Sequence, residues 1–123
     1  MRFLIADTFT SSLGKLTNEE QSFVKNTSFD LQVNPAHPGL QFHRIERAKD
    51  KNFWSVRSGR DLRIIIHKTE ADFLLCYVNH HNAAYDWAER RKLQTHPETG
   101  AAQLVELRET VRIVPKYVEK TMQ

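Results

Sequence analysis

Two apolar segments in the middle of the chain, joined by a short and mostly polar stretch, constrain the fold most strongly. Residues 62–67 and 73–78 are rich in β-branched, leucine and aromatic side chains, a composition typical of β-strands. The residues between them have the length of a hairpin connection. The two segments therefore predict a pair of central strands with a helical layer on one face.

Other parts of the chain predict helices and strands around this pair. Thr17 and Glu20 form a capping-box pattern that starts a helix, and Pro35 ends that helix. Helical turns over residues 8–15 would complete a helical hairpin, or the whole region would form one kinked helix. A last helix, capped by Asn82, is expected over residues 83–93. Three further segments have strand character: residues 2–7, 42–47 and 53–57.

The predicted fold class is therefore α+β, with an antiparallel β-sheet of four to five strands, an N-terminal helical hairpin and a C-terminal helix. We expect residues 1–95 to form one domain and residues 96–123 to form a C-terminal extension or arm. Within that extension, residues 103–108 and 111–117 either form short strands or become ordered only against a partner.

The composition is typical of one globular domain in a reducing compartment. The chain has 123 residues, 40% of them hydrophobic, which is enough for a single core. No apolar run reaches eighteen residues, and the apolar run at the N-terminus is too short for a secretory signal. Cys76 is the single cysteine and cannot form an internal disulfide. We therefore expect a cytoplasmic protein.

Positive charge is concentrated in the middle of the chain. Residues 43–68 contain eight lysines and arginines against three acidic residues, a local charge of +5 within a chain whose net charge is +3. A cluster of this kind attracts phosphate backbones or acidic proteins. The alternative is that these side chains form the solvated face of a sheet.

The residue types in this region suit chemistry on a phosphodiester. Arg57 and Arg63 flank a turn that contains Arg60, and arginine binds phosphate through two parallel hydrogen bonds. His80 and His81 end a predicted strand, with Tyr85 shortly after them, and imidazole exchanges protons near neutral pH. Because neighbouring strand residues point to opposite faces, we expect at most one of the two histidines, His81, to face such a site.

The order of these motifs resembles the RelE/ParE toxin superfamily. The resemblance rests on Arg-x-Gly-Arg-x-x-Arg at residues 57–63 and on Val-x-His-His-x-x-x-Tyr at residues 78–85, and it covers roughly residues 2–91. The ending of the domain is similar to RelE-like domains at the front of some helicase-type chains. Members of the superfamily are mostly toxins of toxin–antitoxin pairs, and either cut messenger RNA on the ribosome without a metal ion or poison DNA gyrase.

The resemblance implies a function and a set of residues. The chain would be a toxin with ribosome-associated endoribonuclease activity, neutralised by an acidic antitoxin protein, and no metal, other cofactor or membrane is expected. The implied catalytic residues are Arg57, Arg63, His81 and Tyr85. The implied substrate-binding residues are Arg60, Lys49, Lys51 and His80. The alternatives are a non-catalytic module of RelE-like fold that binds nucleic acid or a protein, and a gyrase-inhibiting toxin.

Overall fold

A computed structural model describes residues 2–95 and 102–106. Its elements in chain order are β1 (Arg2–Ile5), α1 (Asp7–Gly14), α2 (Asn18–Val33), a 3₁₀ turn (Pro38–Leu40), β2 (His43–Arg44), β3 (Phe53–Ser58), β4 (Leu62–Lys68), β5 (Asp72–His80), α3 (His81–Glu89), β6 (Arg91–Thr95) and β7 (Ala102–Glu106). The predicted α+β fold with its helical hairpin is confirmed. Among the described residues, no helix is both long and apolar enough to cross a membrane.

The main sheet has five strands in the order β1-β5-β4-β3-β2. The segments predicted as central strands are β4 and β5, which pair antiparallel in the middle. β1 joins the edge in parallel with β5, so the sheet is mixed. A second sheet consists of β6 paired antiparallel with β7.

The helical hairpin begins and ends where the sequence predicts. The Thr17 side chain accepts a hydrogen bond from the Glu20 amide, and the Glu20 carboxylate accepts one from the Thr17 amide. This reciprocal box satisfies two amides that the first turn of α2 would otherwise leave free. The helix ends at Val33, because Pro35 cannot continue the hydrogen-bonding ladder.

The sheet buries both of its faces, which we name by what covers them. On the hairpin face, Val56, Ile64 and Val78 pack beneath α1 and α2. On the opposite face, which we call the site face, Ile65 packs with Trp87 and Ala88 of α3. The sequence predicted a helical layer on one face only, and α3 supplies the second.

Helix α1 also closes an open edge of the sheet. β1 pairs only with the first part of β5, from Asp72 to Leu75. Further along, Ser12 accepts a hydrogen bond from the Val78 amide at 3.0 Å, and Thr8 donates one to the Cys76 carbonyl at 2.6 Å. Side chains of α1 thus replace the strand that is missing there, which keeps β5 from pairing with another chain.

Two predicted elements have different bounds in the structure. The last helix starts at His81, not after Asn82, and ends at Glu89, because the chain enters β6 at Arg91. The Leu93 amide donates to Asp50, which anchors β6 to the loop before β3. The strand expected over residues 42–47 shrinks to β2, because a turn follows it, closed by the bond from the Ala48 amide to the Ile45 carbonyl.

The C-terminal predictions are covered only in part. The segment expected over residues 103–108 corresponds to β7 as far as the structure describes it. Residues 111–117 lie outside the described residues. The division of the chain at residue 95 remains a prediction.

Candidate functional site

Arg57 and Arg63 face each other across the β3–β4 pair. Their Cα atoms are direct partners in the register, and Asn79 on β5 is the next partner in the same row. Directly opposed side chains in an antiparallel pair have Cβ atoms about 5 Å apart. The row lies on the site face, two positions from Ile65 along β4. The structure therefore brings together the two arginines that the sequence singled out.

Within the described residues, no carboxylate neutralises either arginine. None of the ion pairs among the described residues involves Arg57, Arg60 or Arg63. The Arg57 Nε donates to the Gly59 carbonyl at 2.8 Å, and the Arg63 Nη1 donates to the Leu62 carbonyl at 2.8 Å. Each guanidinium has five N–H groups, so most of its donors remain available. Two like charges in opposed positions repel, and an anion between them would relieve that repulsion.

Helix α3 places two ring side chains on one ridge. His81 and Tyr85 are four residues apart, so they lie on the same side of the helix, and their ring centroids are 4.5 Å apart. The Tyr85 hydroxyl lies 3.0 Å from the Nε2 of His43 on the edge strand β2. The structure thus joins the two residues predicted on this helix to a third residue that the sequence did not single out.

A backbone carbonyl determines which ring nitrogen of neutral His43 carries the hydrogen. Its Nδ1 lies 2.7 Å from the Gln41 carbonyl oxygen, which can only accept, so Nδ1 carries the hydrogen in the neutral ring. The Nε2 atom is then free to accept from the Tyr85 hydroxyl. Gln41 has φ 48° and ψ 48°, a left-handed conformation that is uncommon for a residue other than glycine. Backbone strain of this kind concentrates at functional sites.

Further side chains border the His43–Tyr85 contact. The Arg47 guanidinium lies over the Tyr85 ring, 5.9 Å from its centroid, and forms an ion pair with Glu89. Ser55 is the cross-strand partner of His43, and its fully buried hydroxyl has no hydrogen-bond partner among the described residues. Neither His43 nor Arg47 was predicted as a site residue. The one sequence feature that pointed to them is their position in the positively charged segment of residues 43–68.

His80 lies on the other side of the sheet from His81. Its Nδ1 is 2.7 Å from Asp61 and its Nε2 is 3.4 Å from Glu20, so carboxylates of the β3–β4 turn and of α2 occupy both nitrogens. The expectation that only one of the two histidines would face the site agrees with this geometry. His80 is not brought to the arginine row.

Lys49 and Lys51 lie away from the arginine pair, whereas Arg60 lies in the turn that joins the two strands of that pair. The two lysines lie in the loop before β3, whereas Arg57 lies four positions beyond Phe53 at the start of that strand, a rise of about 13 Å. Lys51 donates to the Glu46 carbonyl at 2.8 Å. Arg60 lies in the β3–β4 turn, where its carbonyl accepts from Arg63. By position, the substrate-binding role predicted for Lys49 and Lys51 is less supported than that of Arg57 and Arg63, and the role of Arg60 stays a prediction.

Cys76 is placed where it cannot act as a nucleophile near neutral pH. The thiol is fully buried in the cluster beneath α3, and burial raises its pKa to about 12. The reactive form of cysteine is the thiolate, which this site disfavours. The chemistry of the site face therefore depends on arginine, histidine and tyrosine.

Comparison with known proteins gives structural matches only. No family model matches the chain, and no curated protein matches it. Among solved structures, the RelB–RelE antitoxin–toxin complex of Methanococcus jannaschii matches with a TM-score of 0.52 and 21% identity, over 68% of this chain and 95% of the other. YafQ of E. coli strain BL21(DE3) matches with a TM-score of 0.56 and 12% identity, over 68% and 96%.

This chain has the RelE-like toxin fold. E. coli YafQ in its complex with DinJ matches as well, with a TM-score of 0.51 and 10% identity over 67% of this chain. The resemblance to the superfamily is thus confirmed at the level of the fold. At these identities the matches establish the RelE-like architecture, and the roles of individual residues have to be argued from the site itself.

Proposed function

We propose that this chain is the toxin of a toxin–antitoxin pair and cuts messenger RNA, associated with the ribosome and without a metal ion. The observation that carries the proposal is the His43–Tyr85 hydrogen bond, with the His81 ring against Tyr85, on the same sheet face as the Arg57–Arg63 pair. RNA cleavage by the 2′-hydroxyl needs a base, an acid and cations on the phosphate. This face offers residues of all three kinds.

Arg57 and Arg63 would bind the scissile phosphate. Their guanidinium groups would contact its non-bridging oxygens and stabilise the charge that builds up when the 2′-oxygen attacks. Arginine keeps its charge at every relevant pH, so the pair works as a fixed electrostatic clamp. This role agrees with the lack of a carboxylate partner for either side chain in the described ranges 2–95 and 102–106.

Tyr85 and His43 would act together as the base. The Tyr85 oxygen would take the proton of the ribose 2′-hydroxyl while its own proton passes to the His43 Nε2. The 2′-oxygen then forms a bond to phosphorus, and the bond from phosphorus to the 5′-oxygen breaks. The Gln41 carbonyl holds the His43 ring in the tautomer that this transfer requires.

His81, in its doubly protonated form, would donate the Nε2 proton to the leaving 5′-oxygen and would regain a proton from solvent after the step. Its Nδ1 lies 3.0 Å from the Asn82 side-chain oxygen, which leaves Nε2 free to face a substrate. The products would be a 2′,3′-cyclic phosphate and a 5′-hydroxyl end, and the proton taken up by His43 returns to solvent. A well-placed acid or base contributes about 10²–10⁴ in rate.

The partner that we propose is an acidic antitoxin segment. Two of the matched RelE-like structures are complexes with RelB and DinJ, and the first is described as an antitoxin–toxin complex. On this chain, an acidic and amphipathic segment would be attracted to the unneutralised arginines of the site face. We expect such a segment to compete with RNA.

A second candidate function is a non-catalytic module that binds RNA or a protein through the same face. It is favoured by the hydrogen bonds of Arg57 and Arg63 to backbone carbonyls, which orient part of each guanidinium away from a ligand. It is also favoured by the absence of lysine from the β3 sequence Phe53–Ser58. A gyrase-inhibiting toxin remains the third alternative that the resemblance raised.

Induced expression in bacteria separates these functions. Growth arrest with transcripts cut at codon boundaries supports RNA cleavage, arrest with DNA-damage signalling supports the gyrase alternative, and normal growth supports the binding module. His43→Gln should abolish the transcript cuts, because Gln cannot accept the proton from Tyr85.

The matched control is His37→Gln. His37 is an exposed histidine that caps the 3₁₀ turn, its Nδ1 accepts from the Gly39 amide, and it is not part of the His43–Tyr85–His81 contacts. Cuts that persist at full rate in His43→Gln would remove His43 from the mechanism. Cuts lost equally in both variants would show that the loss does not depend on the His43–Tyr85 contact.

A further inference from the structure

A second cluster of unneutralised cations lies on the hairpin face, at the sheet edge formed by β2. Arg44 of β2 is the cross-strand partner of Trp54, which in turn is the partner of Ile66. Lys68 lies two positions beyond Ile66 on β4, so it projects from the same face. We call Arg44, Trp54 and Lys68 the Trp54 patch.

The indole ring positions both cations. The Arg44 guanidinium carbon is 5.2 Å from the ring centroid of Trp54, and the Lys68 Nζ is 5.3 Å from it. Phe42 stacks on the same ring with centroids 4.7 Å apart, which holds the indole in place. A cation–π contact attracts a cation without cancelling its charge, so the patch keeps two positive charges in a fixed place.

No carboxylate balances these charges in the described part of the chain. The ion pairs found there involve neither Arg44 nor Lys68. Asp72, the neighbour of the Phe73 that pairs with Lys68, binds Arg2 at 2.8 Å. This hydrogen bond lowers the pKa of the Asp72 carboxylate. Asp72 is thus already committed to another cation, and Glu70, which lies in the same connection, forms no ion pair with Lys68 or Arg44 among those found in the described residues.

The patch is continuous with the site face around the sheet edge. His43 and Arg44 are the two residues of β2, and consecutive strand residues point to opposite faces. His43 contacts Tyr85 on the site face, whereas Arg44 contacts Trp54 on the hairpin face. Their Cα atoms are about 3.8 Å apart, so one polymer passing over this edge would meet both.

We propose that the Trp54 patch binds the phosphate backbone of single-stranded RNA at a second point, where the strand wraps around the β2 edge. The inference rests on RNA as the ligand of the proposed function but not on cleavage. RNA fits because it is a flexible polyanion that can turn around a two-residue strand and place successive phosphates on both faces. The patch anchors the strand, while the site face holds the reacting phosphate.

The test measures binding of a fluorescently labelled 2′-O-methyl oligouridylate of twelve nucleotides, which the chain cannot cut by 2′-hydroxyl attack. Affinity is measured by anisotropy over a range of salt concentrations. For the double variant Arg44→Gln/Lys68→Gln, we expect weaker binding and a log–log salt slope that is shallower by about 1.4, since each phosphate contact on a single strand contributes about 0.7. Thermal melting checks that the variant remains folded.

The matched control is Lys15→Gln/Lys25→Gln, which removes the same charge from exposed lysines of the helical hairpin. An unchanged slope in this control, with a shallower slope in the patch variant, supports the inference. A wild-type slope in the patch variant overturns it, and so does an equal change in both variants, because the effect would then be one of net charge. Competition by polyglutamate as strong as that by polyuridylate also overturns it, in favour of an acidic protein.

Cleavage is scored separately on unmodified RNA, so the two proposals fail independently. A chain that cuts RNA but binds it equally well without the patch cations refutes the patch alone. A chain that binds through the patch and never cuts RNA refutes the proposed activity alone. A wild-type chain that does not bind the oligouridylate refutes the patch.

Discussion

The two faces of the central sheet treat their polar side chains in opposite ways. On the hairpin face, buried polar groups are paired: the hydroxyls of Thr27 and Ser58 lie 2.7 Å apart, and Ser12 accepts from the Val78 amide. On the site face, His67 is paired with Asp50, but within the described residues the buried Ser55 hydroxyl has no partner, and Arg57 and Arg63 oppose each other without a carboxylate. The hairpin face is therefore built for stability, whereas the site face keeps polar groups available for a ligand.

The exception on the hairpin face supports this interpretation. At the β2 edge, the Trp54 patch again holds two cations that have no carboxylate partner among the described residues. This edge is also where the site face begins, at His43. In the described part of the chain, cations without an ion pair therefore lie both in the Arg57–Arg63 row of the site face and at the β2 edge of the hairpin face.

The largest expected difference in stability is between variants of two neighbouring residues of β4, Ile64 and Arg63, whose side chains point to opposite faces of the sheet. Ile64 is fully buried on the hairpin face, so Ile64→Ala should lower the free energy of unfolding by about 2–5 kcal/mol. Arg63→Gln should change it by less than about 0.5 kcal/mol, because its removal also relieves repulsion with Arg57. Urea denaturation measures both. A large loss in Arg63→Gln would show that the arginine is structural.

The next largest effect separates two buried serines of β3. Ser58→Ala should lower the free energy of unfolding by about 1–3 kcal/mol, because it breaks the buried bond to Thr27 that joins α2 to the sheet. Ser55→Ala should be neutral or stabilising, because it removes a buried hydroxyl that has no partner. Chemical denaturation of the two variants side by side gives the difference. Equal losses would mean that the two faces do not differ in this way.

A smaller effect is expected at the start of α2. Thr17→Ala removes the cap that accepts from the Glu20 amide and should cost about 1 kcal/mol of stability, seen as a lower urea midpoint. Thr17→Ser keeps the hydroxyl and serves as the control, with stability close to that of the wild type. A Thr17→Ala midpoint equal to that of Thr17→Ser would show that the capping box contributes nothing measurable.

The smallest effect is a pH dependence of the stability that the capping box of α2 contributes. The pKa of Glu20 lies below its ordinary value of 4.5, chiefly because the Thr17 amide donates to its carboxylate. A lowered pKa means that the stabilisation is fully present above pH 4.5 and is lost as the pH falls through the lower folded value. Melting temperatures of wild type and Glu20→Gln should therefore differ most above pH 4.5 and converge below it. A difference that grows on acidification would have the wrong sign.

The parts of the fold that were predictable depend on local signals. The strands β4 and β5 are marked by their own apolar runs, and α2 by Thr17, Glu20 and Pro35. These signals lie within the element that they define, so a single sequence is enough to read them. The opposition of Arg57 and Arg63 follows from the same local pattern, since a short hairpin fixes which residues pair.

The parts that were missed depend on contacts between distant residues. Helix α3 ends at Glu89 because residues 91–95 pair with residues 102–106, and nothing between Glu89 and Leu93 breaks a helix locally. The role of His43 depends on Tyr85, 42 positions away, and on the left-handed backbone conformation of Gln41. Neither can be predicted from the local sequence. Tertiary pairing decided each of these features.

The central claim is that the site face receives the reacting phosphodiester. An NMR titration with the 2′-O-methyl oligouridylate tests it directly, by following the Nε–H signals of Arg57 and Arg63 and the ring signals of His43 and His81. These signals should shift together and saturate at one RNA concentration, whereas the signals of the buried His67 ring, which binds Asp50, should not shift. RNA that binds without shifting the Arg57, Arg63, His43 and His81 signals would contradict the account.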